Sequence, residues 1–190
     1  MIGKFVVAFM AAPLVASQAS EPVFTNIPQV KMVMCTEGSG TAWRNGIGSY
    51  VTAGHVAIMD GCEIDGEPIE VTYLSEEYDI ATLRTHVWGV PLPIDCGGEP
   101  DGEATAGVGY AEGLPFQRVI FAIASDKLTA FEQWKHFRTL YGEEQYIPGM
   151  SGGPVLNQEG KVIGLVNGYN TIAPVSYSQE LKGTPLCSRA

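Results

Sequence analysis

Glycine and proline punctuate this chain so closely that it reads as a series of short strands joined by turns. Of its 23 glycines and 12 prolines, all but Gly3 and Pro13 lie beyond residue 19. Between the turns, alternating or β-branched runs mark strands at Val30–Met34, at Thr41–Trp43 after a glycine turn, at Gly48–Ala53, Val71–Leu74 and Ile80–Leu83. Asn45-Gly46 is a hairpin-type dipeptide. From Pro91 to Gly102 the chain becomes a connector rich in Pro, Gly, Asp and Glu, which divides it into two halves of similar size. Beyond it, strands are expected at Ala104–Tyr110, Gln117–Ala124, Arg138–Tyr141, Pro154–Leu156 and Val162–Val166. Phe131, Trp134 and Phe137 have the spacing of a helical turn within Thr129–Phe137, and Ser178–Lys182 reads as a short helix capped by Gly183. Two halves of five to six short strands each predict an all-β chain of paired barrels.

With 45% hydrophobic and 17% charged residues the chain is no disordered polyelectrolyte. Its formal charge of −10 argues against nucleic acid as a partner. Lys4 precedes an apolar run from Phe5 to Val15, too short to cross a bilayer, and Ser17-Gln18-Ala19 follows with small residues at the spacing of a cleavage site. Residues 1–19 are therefore expected to be an export signal, with cleavage after Ser17 as the other position that fits. A buried N-terminal helix is the alternative and accounts less well for that order. The expected destination is the periplasm or the exterior, without stable membrane insertion once the signal is removed. Cys35, Cys62, Cys96 and Cys187 all lie beyond the signal, and their even number suits two disulfides in three possible connectivities. None of them has the close spacing of a zinc site, so neither a metal nor another cofactor is expected.

The sharpest local feature is Pro148-Gly149-Met150-Ser151-Gly152-Gly153-Pro154-Val155. Such a turn can expose a serine hydroxyl and aim the Gly149 and Ser151 amides at one point, as an oxyanion hole requires. A glycine-rich hairpin with an inert serine is the plain alternative. A nucleophilic serine needs a base, and the base needs an orienting acid. Of the three histidines, His55 follows a strand and a glycine in Thr52-Ala53-Gly54-His55-Val56, whereas His86 and His136 lie in ordinary surroundings. Asp79 opens the apolar strand Ile80-Ala81-Thr82-Leu83, where a carboxylate needs a waiting donor; Asp60 and Asp65 sit in a turn segment. Gly149-Met150-Ser151-Gly152-Gly153 also fits the nucleophile elbow of α/β-hydrolases, but there the acid and the histidine follow the serine. After Ser151 this chain has neither histidine nor aspartate.

The order His55, Asp79, Ser151, with these three motifs and the strand Val162–Gly168, resembles the trypsin-like (chymotrypsin-fold) serine peptidases of compact bacterial or viral type. The resemblance implies two antiparallel six-stranded barrels with the active site in the cleft between them. The first would cover about residues 25–95 and the second about 103–175 of a peptidase domain spanning 20–190, ahead of a short C-terminal segment. It implies His55 as base, Asp79 as orienter, Ser151 as nucleophile, the Gly149 and Ser151 amides as oxyanion hole, polypeptides as substrates and no cofactor. It further implies a bridge from Cys35 to Cys62 around the His55 segment, which leaves Cys96 for Cys187. The pocket base falls on Gln145 and its wall on Asn167 and Gly168, which predicts an uncharged residue before the scissile bond, unless a loop shift brings Glu143 or Glu144 to that place. Met150 stands where digestive members carry an aspartate that pairs with a newly cut N-terminus. No activating cleavage is therefore expected beyond removal of the signal. The same residues allow two other readings, a non-catalytic binding relative and a triad esterase.

Overall fold

The computed structural model describes residues 23–46, 48–98, 101–125, 137–171 and 175–188. The expected signal at 1–19, most of the stretch Thr129–Phe137, and His136 lie outside them. In chain order the strands are β1 (Val23–Thr25), β2 (Val30–Cys35), β3 (Gly38–Gly46), β4 (Ser49–Ala53), β5 (Glu63–Ile64), β6 (Glu67–Pro68), β7 (Glu70–Ser75) and β8 (Ile80–Arg84). They continue as β9 (Ala104–Gly109), β10 (Gln117–Ser125), β11 (Phe137–Tyr141), β12 (Pro154–Leu156), β13 (Val162–Tyr169) and β14 (Val175–Glu180). Two single helical turns, α1 (Gly54–Ala57) and α2 (Pro185–Ser188), and a 3-10 turn at Ala111–Gly113 complete the elements among the described residues.

The strands form two antiparallel sheets, as the paired-barrel expectation requires. The first has the order β6-β5-β2-β3-β4-β8-β7 and curls without its edge strands pairing among the described residues. The second closes: β9 pairs with β12 on one side and with β10 on the other, making a six-stranded barrel of β9, β10, β11, β14, β13 and β12. β1 adds to β10 outside this ring, so the first described strand belongs to the second sheet. The first sheet thus differs from a closed six-stranded barrel in count and in closure, while the two-barrel architecture holds.

Period-two burial explains why these segments are strands. In β10, Ile120, Ala122 and Ala124 are buried while Phe121 and Ile123 between them face outward. The cores join across the sheets: Val30, Val33, Trp43, Tyr50, Ile80 and Leu83 of the first pack in one cluster with Val108, Val162, Leu165 and Leu181 of the second. Cys35 is bonded to Cys62, and Cys96 to Cys187.

Two local expectations fail. Residues 178–180 are strand, not helix: all six residues of β14 are buried, and they pair with β11 on one side and β13 on the other. A helix there would leave both neighbours without ladder partners and the barrel open. The helical turn comes later, at Pro185–Ser188. Strand β3 also runs through Asn45-Gly46 with a bulge between Arg44 and Gly46, and Gly48 takes the positive φ of 66°, so the chain turns after Gly46.

Candidate active site

The register of β4 against β8 brings His55 and Asp79 together. Ala53 pairs with Ile80, and the Gly54 N–H continues the ladder to the Asp79 carbonyl at 2.9 Å. There α1 begins, and its second residue, His55, stands over Asp79. The backbone N–H of His55 donates to Asp79 Oδ1 at 2.8 Å, and its Nδ1 lies 2.7 Å from Oδ2. Asn167 of β13 donates its Nδ2–H to the same Oδ2. Three donors thus hold one carboxylate whose side chain is 8% exposed, against 41% for the imidazole. Asp79 adopts φ 47°, a left-handed conformation uncommon outside glycine, and the bonds around it hold it there. Gly54 leaves the room needed, since a Cβ there would stand 2.9 Å from Asp79 Oδ1.

Ser151 comes from the second sheet, on the turn before β12. Its hydroxyl donates to the Asn167 carbonyl at 3.0 Å, not to the imidazole. The turn is shaped by Gly149 at φ 90° and Gly152 at φ 85°. A Cβ on Gly149 would collide with the Tyr110 carbonyl, and one on Gly152 with the Thr52 hydroxyl and the Thr41 carbonyl. The Pro148 carbonyl accepts the Glu112 N–H at 2.6 Å and the Met150 carbonyl accepts the Gly153 N–H at 3.0 Å. In trans peptides the N–H groups of Gly149 and Ser151 then point the opposite way, and among the described residues neither has an acceptor. Beneath the turn Met150 is fully buried in the core of the second barrel with Ile120, Leu140 and Val166. It leaves no place for a charged partner.

His55, Gly149, Ser151, Asn167 and Gly168 line one cleft of about 350 Å³ between the sheets, whose remaining walls include Ile147 and Tyr169. Gln145 is not among the lining residues; its amide donates to the carbonyls of Asn170 at 2.8 Å and Val175 at 2.9 Å, bridging the connection from β13 to β14. Glu144 is paired with Arg118 at 3.0 Å. His86 lines a larger cavity of about 620 Å³ on the first sheet, away from this cleft, and Asp65 pairs with Lys31 at 2.7 Å. Among the described residues no group of three or more His, Cys, Asp or Glu is arranged to hold a metal ion, and no helix is long and apolar enough to cross a membrane.

The sequence reading missed three contributors. Asn167 was expected in the pocket wall, yet its amide also braces Asp79. Thr41, buried between the sheets, holds the nucleophile turn from the first one, and Thr52 in turn holds the Thr41 carbonyl. A threonine in an alternating strand carries no signal of such a task.

Residues 38–165 match the family model described as Trypsin-like peptidase domain. Among solved structures, the active form of the Rv3671c protease from M. tuberculosis aligns with TM-score 0.68 and 19% identity, over 80% of this chain and 76% of that one. The serine endoprotease from Yersinia pestis aligns at 0.67 and 19%, over 85% and 61%. The HtrA-type protease AlgW, with a bound tripeptide, aligns at 0.67 and 18%, over 80% and 56%. At these identities the likeness is one of fold. No curated protein sequence matches the chain.

Proposed function

The chain belongs to the trypsin-like peptidase family, and from that premise we propose that it cleaves polypeptides through an acyl-enzyme on Ser151, with His55 and Asp79 completing a triad. The observation that supports this most is the carboxylate of Asp79 held behind His55 by two bonds, with Ser151 on the same cleft. Asp79 keeps the proton on Nδ1 and leaves Nε2 free to act as base. For attack, the Ser151 hydroxyl has to leave the Asn167 carbonyl and donate to Nε2 instead. As Oγ bonds to the scissile carbon, the proton passes to His55 and the carbonyl oxygen becomes an oxyanion. The Gly149 and Ser151 amides receive it. Collapse expels the amine with the proton from His55, and water then repeats the sequence to free the acid and regenerate Ser151.

The substrate side chain before the scissile bond would enter past Asn167 and Gly168. The two disulfides suit an oxidising compartment, in keeping with export directed by residues 1–19. An active-site fluorophosphonate should label the wild type on Ser151 and leave Ser151→Ala unlabelled. Absence of labelling would favour a non-catalytic relative. Labelling with ester turnover but no cleavage across a peptide library would make it an esterase.

A further inference from the structure

Glycine at 149 lets the peptide groups on either side of it swing, so whatever holds their carbonyls decides whether the turn offers N–H groups or an oxygen to the cleft. Among the described residues one side chain hydrogen-bonds to this turn from the opposite sheet. Thr41, in β3, is fully buried, and its Oγ1 donates to the Gly149 carbonyl at 2.8 Å while accepting the Tyr110 N–H at 3.0 Å. Its own N–H donates to the Ser151 carbonyl at 2.8 Å, and its carbonyl accepts from Thr52 Oγ1 at 2.7 Å. Tyr110 leads into the turn of Ala111–Gly113, where Glu112, at φ 55°, donates its N–H to the Pro148 carbonyl. The Thr41 hydroxyl therefore joins the two turns that together fix the peptide planes before and after Gly149.

We propose that the Thr41 hydroxyl is a positioning group that presets the oxyanion-binding turn from the first sheet. This rests on the reading of Ser151 as nucleophile with the Gly149 and Ser151 amides as its oxyanion hole. With the hydroxyl gone, the Gly149 carbonyl and the Tyr110 N–H lose their shared partner inside a buried interface, and the turn can relax away from the geometry the oxyanion needs. The substrate-binding walls at Ile147, Gly168 and Tyr169 do not touch Thr41 through any of these bonds, so ground-state binding should persist.

The test compares the full-length wild type with Thr41→Val, which keeps the shape, and Thr41→Ser, which keeps the hydroxyl. For Thr41→Val, kcat should fall about 10- to 100-fold while KM stays within about twofold. Affinity for a peptide aldehyde, which forms an oxyanion-bearing adduct, should fall by a similar factor, with affinity for the matching peptide alcohol, which forms no oxyanion, unchanged. Thr41→Ser should recover kcat to within about threefold of the wild type. Unchanged kcat, unchanged aldehyde affinity, or a serine variant as impaired as the valine would each overturn the proposal. If Thr41→Val does not fold, Thr41→Ala carries the same comparison. Failure of both to fold, judged by thermal melts, would make the hydroxyl a requirement of the fold and overturn it too. A wild type that does not react with fluorophosphonate at Ser151 sinks the underlying reading. A reactive wild type with an unimpaired Thr41→Val sinks this proposal alone.

Discussion

A carboxylate with three N–H donors and little exposure is costly to assemble, and Asp79 is held in a left-handed backbone conformation besides. Such an arrangement persists where its partners over-determine it, which the bonds from His55 and Asn167 do. Asp79→Asn should keep the fold but hold the imidazole in the wrong tautomer, lowering kcat by about 10⁴-fold at neutral pH. Steady-state kinetics beside a thermal melt checks both halves of that statement. Near-normal turnover would move the acid elsewhere. Selectivity also belongs to single residues. Among the described residues no carboxylate lines the cleft, Glu144 is engaged by Arg118, and the Gln145 amide is occupied by two carbonyls. Uncharged, apolar side chains should therefore be preferred before the scissile bond, as positional scanning of a peptide library would reveal. Strong selection of arginine would contradict this and implicate Glu143. Asp79 and Ser151 stood out in the sequence because their neighbours were unusual for their chemistry. The bracing roles of Asn167 and Thr41 did not, since a bond across 88 or 108 residues leaves no local trace.

At the scale of strands, pairing decides what a side chain meets. Arg44 and Tyr50 stand directly opposite each other in β3 and β4. Both are buried; the guanidinium donates to the phenol oxygen and to the Val87 carbonyl, and lies 4.5 Å from the centre of the Tyr50 ring. Burial raises the Tyr50 pKa above its usual 10, and the Arg44 cation opposes that rise without cancelling it. Because the folded phenol holds its proton longer than the unfolded one, its contribution to stability is complete below about pH 10 and is lost as the pH climbs towards the folded pKa. Urea unfolding at pH 8 to 11 should show this loss in the wild type. Tyr50→Phe should be less stable at pH 8, by about 1–3 kcal/mol for a buried guanidinium that loses one of its acceptors, and flatter in its dependence above pH 10. Parallel curves for the two proteins would refute the assignment. Most strands were legible from alternation and turn residues, β10 most plainly. β14 was not: Ser178-Gln179-Glu180-Leu181 has a helical composition, and only the two neighbours that need its ladder bonds make it a strand.

Across the whole molecule the two halves share one apolar core. The core of the first sheet continues into Val108, Val162, Leu165 and Leu181, and the bond from Cys96 to Cys187 ties the connector to the C-terminal turn. Closing that 91-residue separation should contribute about 4–5 kcal/mol in the chain-entropy picture. The double variant Cys96→Ser, Cys187→Ser should unfold at correspondingly lower urea yet retain peptide cleavage well below its melting temperature. Loss of cleavage in the folded variant would mean that the bridge shapes the cleft. A second expectation concerns activation. Met150 is buried in apolar surroundings, and the turn above it is held by backbone and threonine bonds, so a few extra residues ahead of Ser20 should leave cleavage unchanged. Activity that returns only on trimming to one defined end would refute this. What the sequence by itself determined was the chemistry available and its order: a histidine after a strand, an acid opening another, a serine among glycines, and turns too frequent for anything but short strands. These are local properties, carried by a residue and its immediate neighbours. Only the tertiary structure decided that the first sheet curls without closing among the described residues, that β1 joins the second barrel, and that Thr41 and Asn167 brace the site from opposite sheets. Those outcomes depend on which buried hydrogen-bonding groups meet across sheets, and a buried donor or acceptor finds its partner in space rather than along the chain.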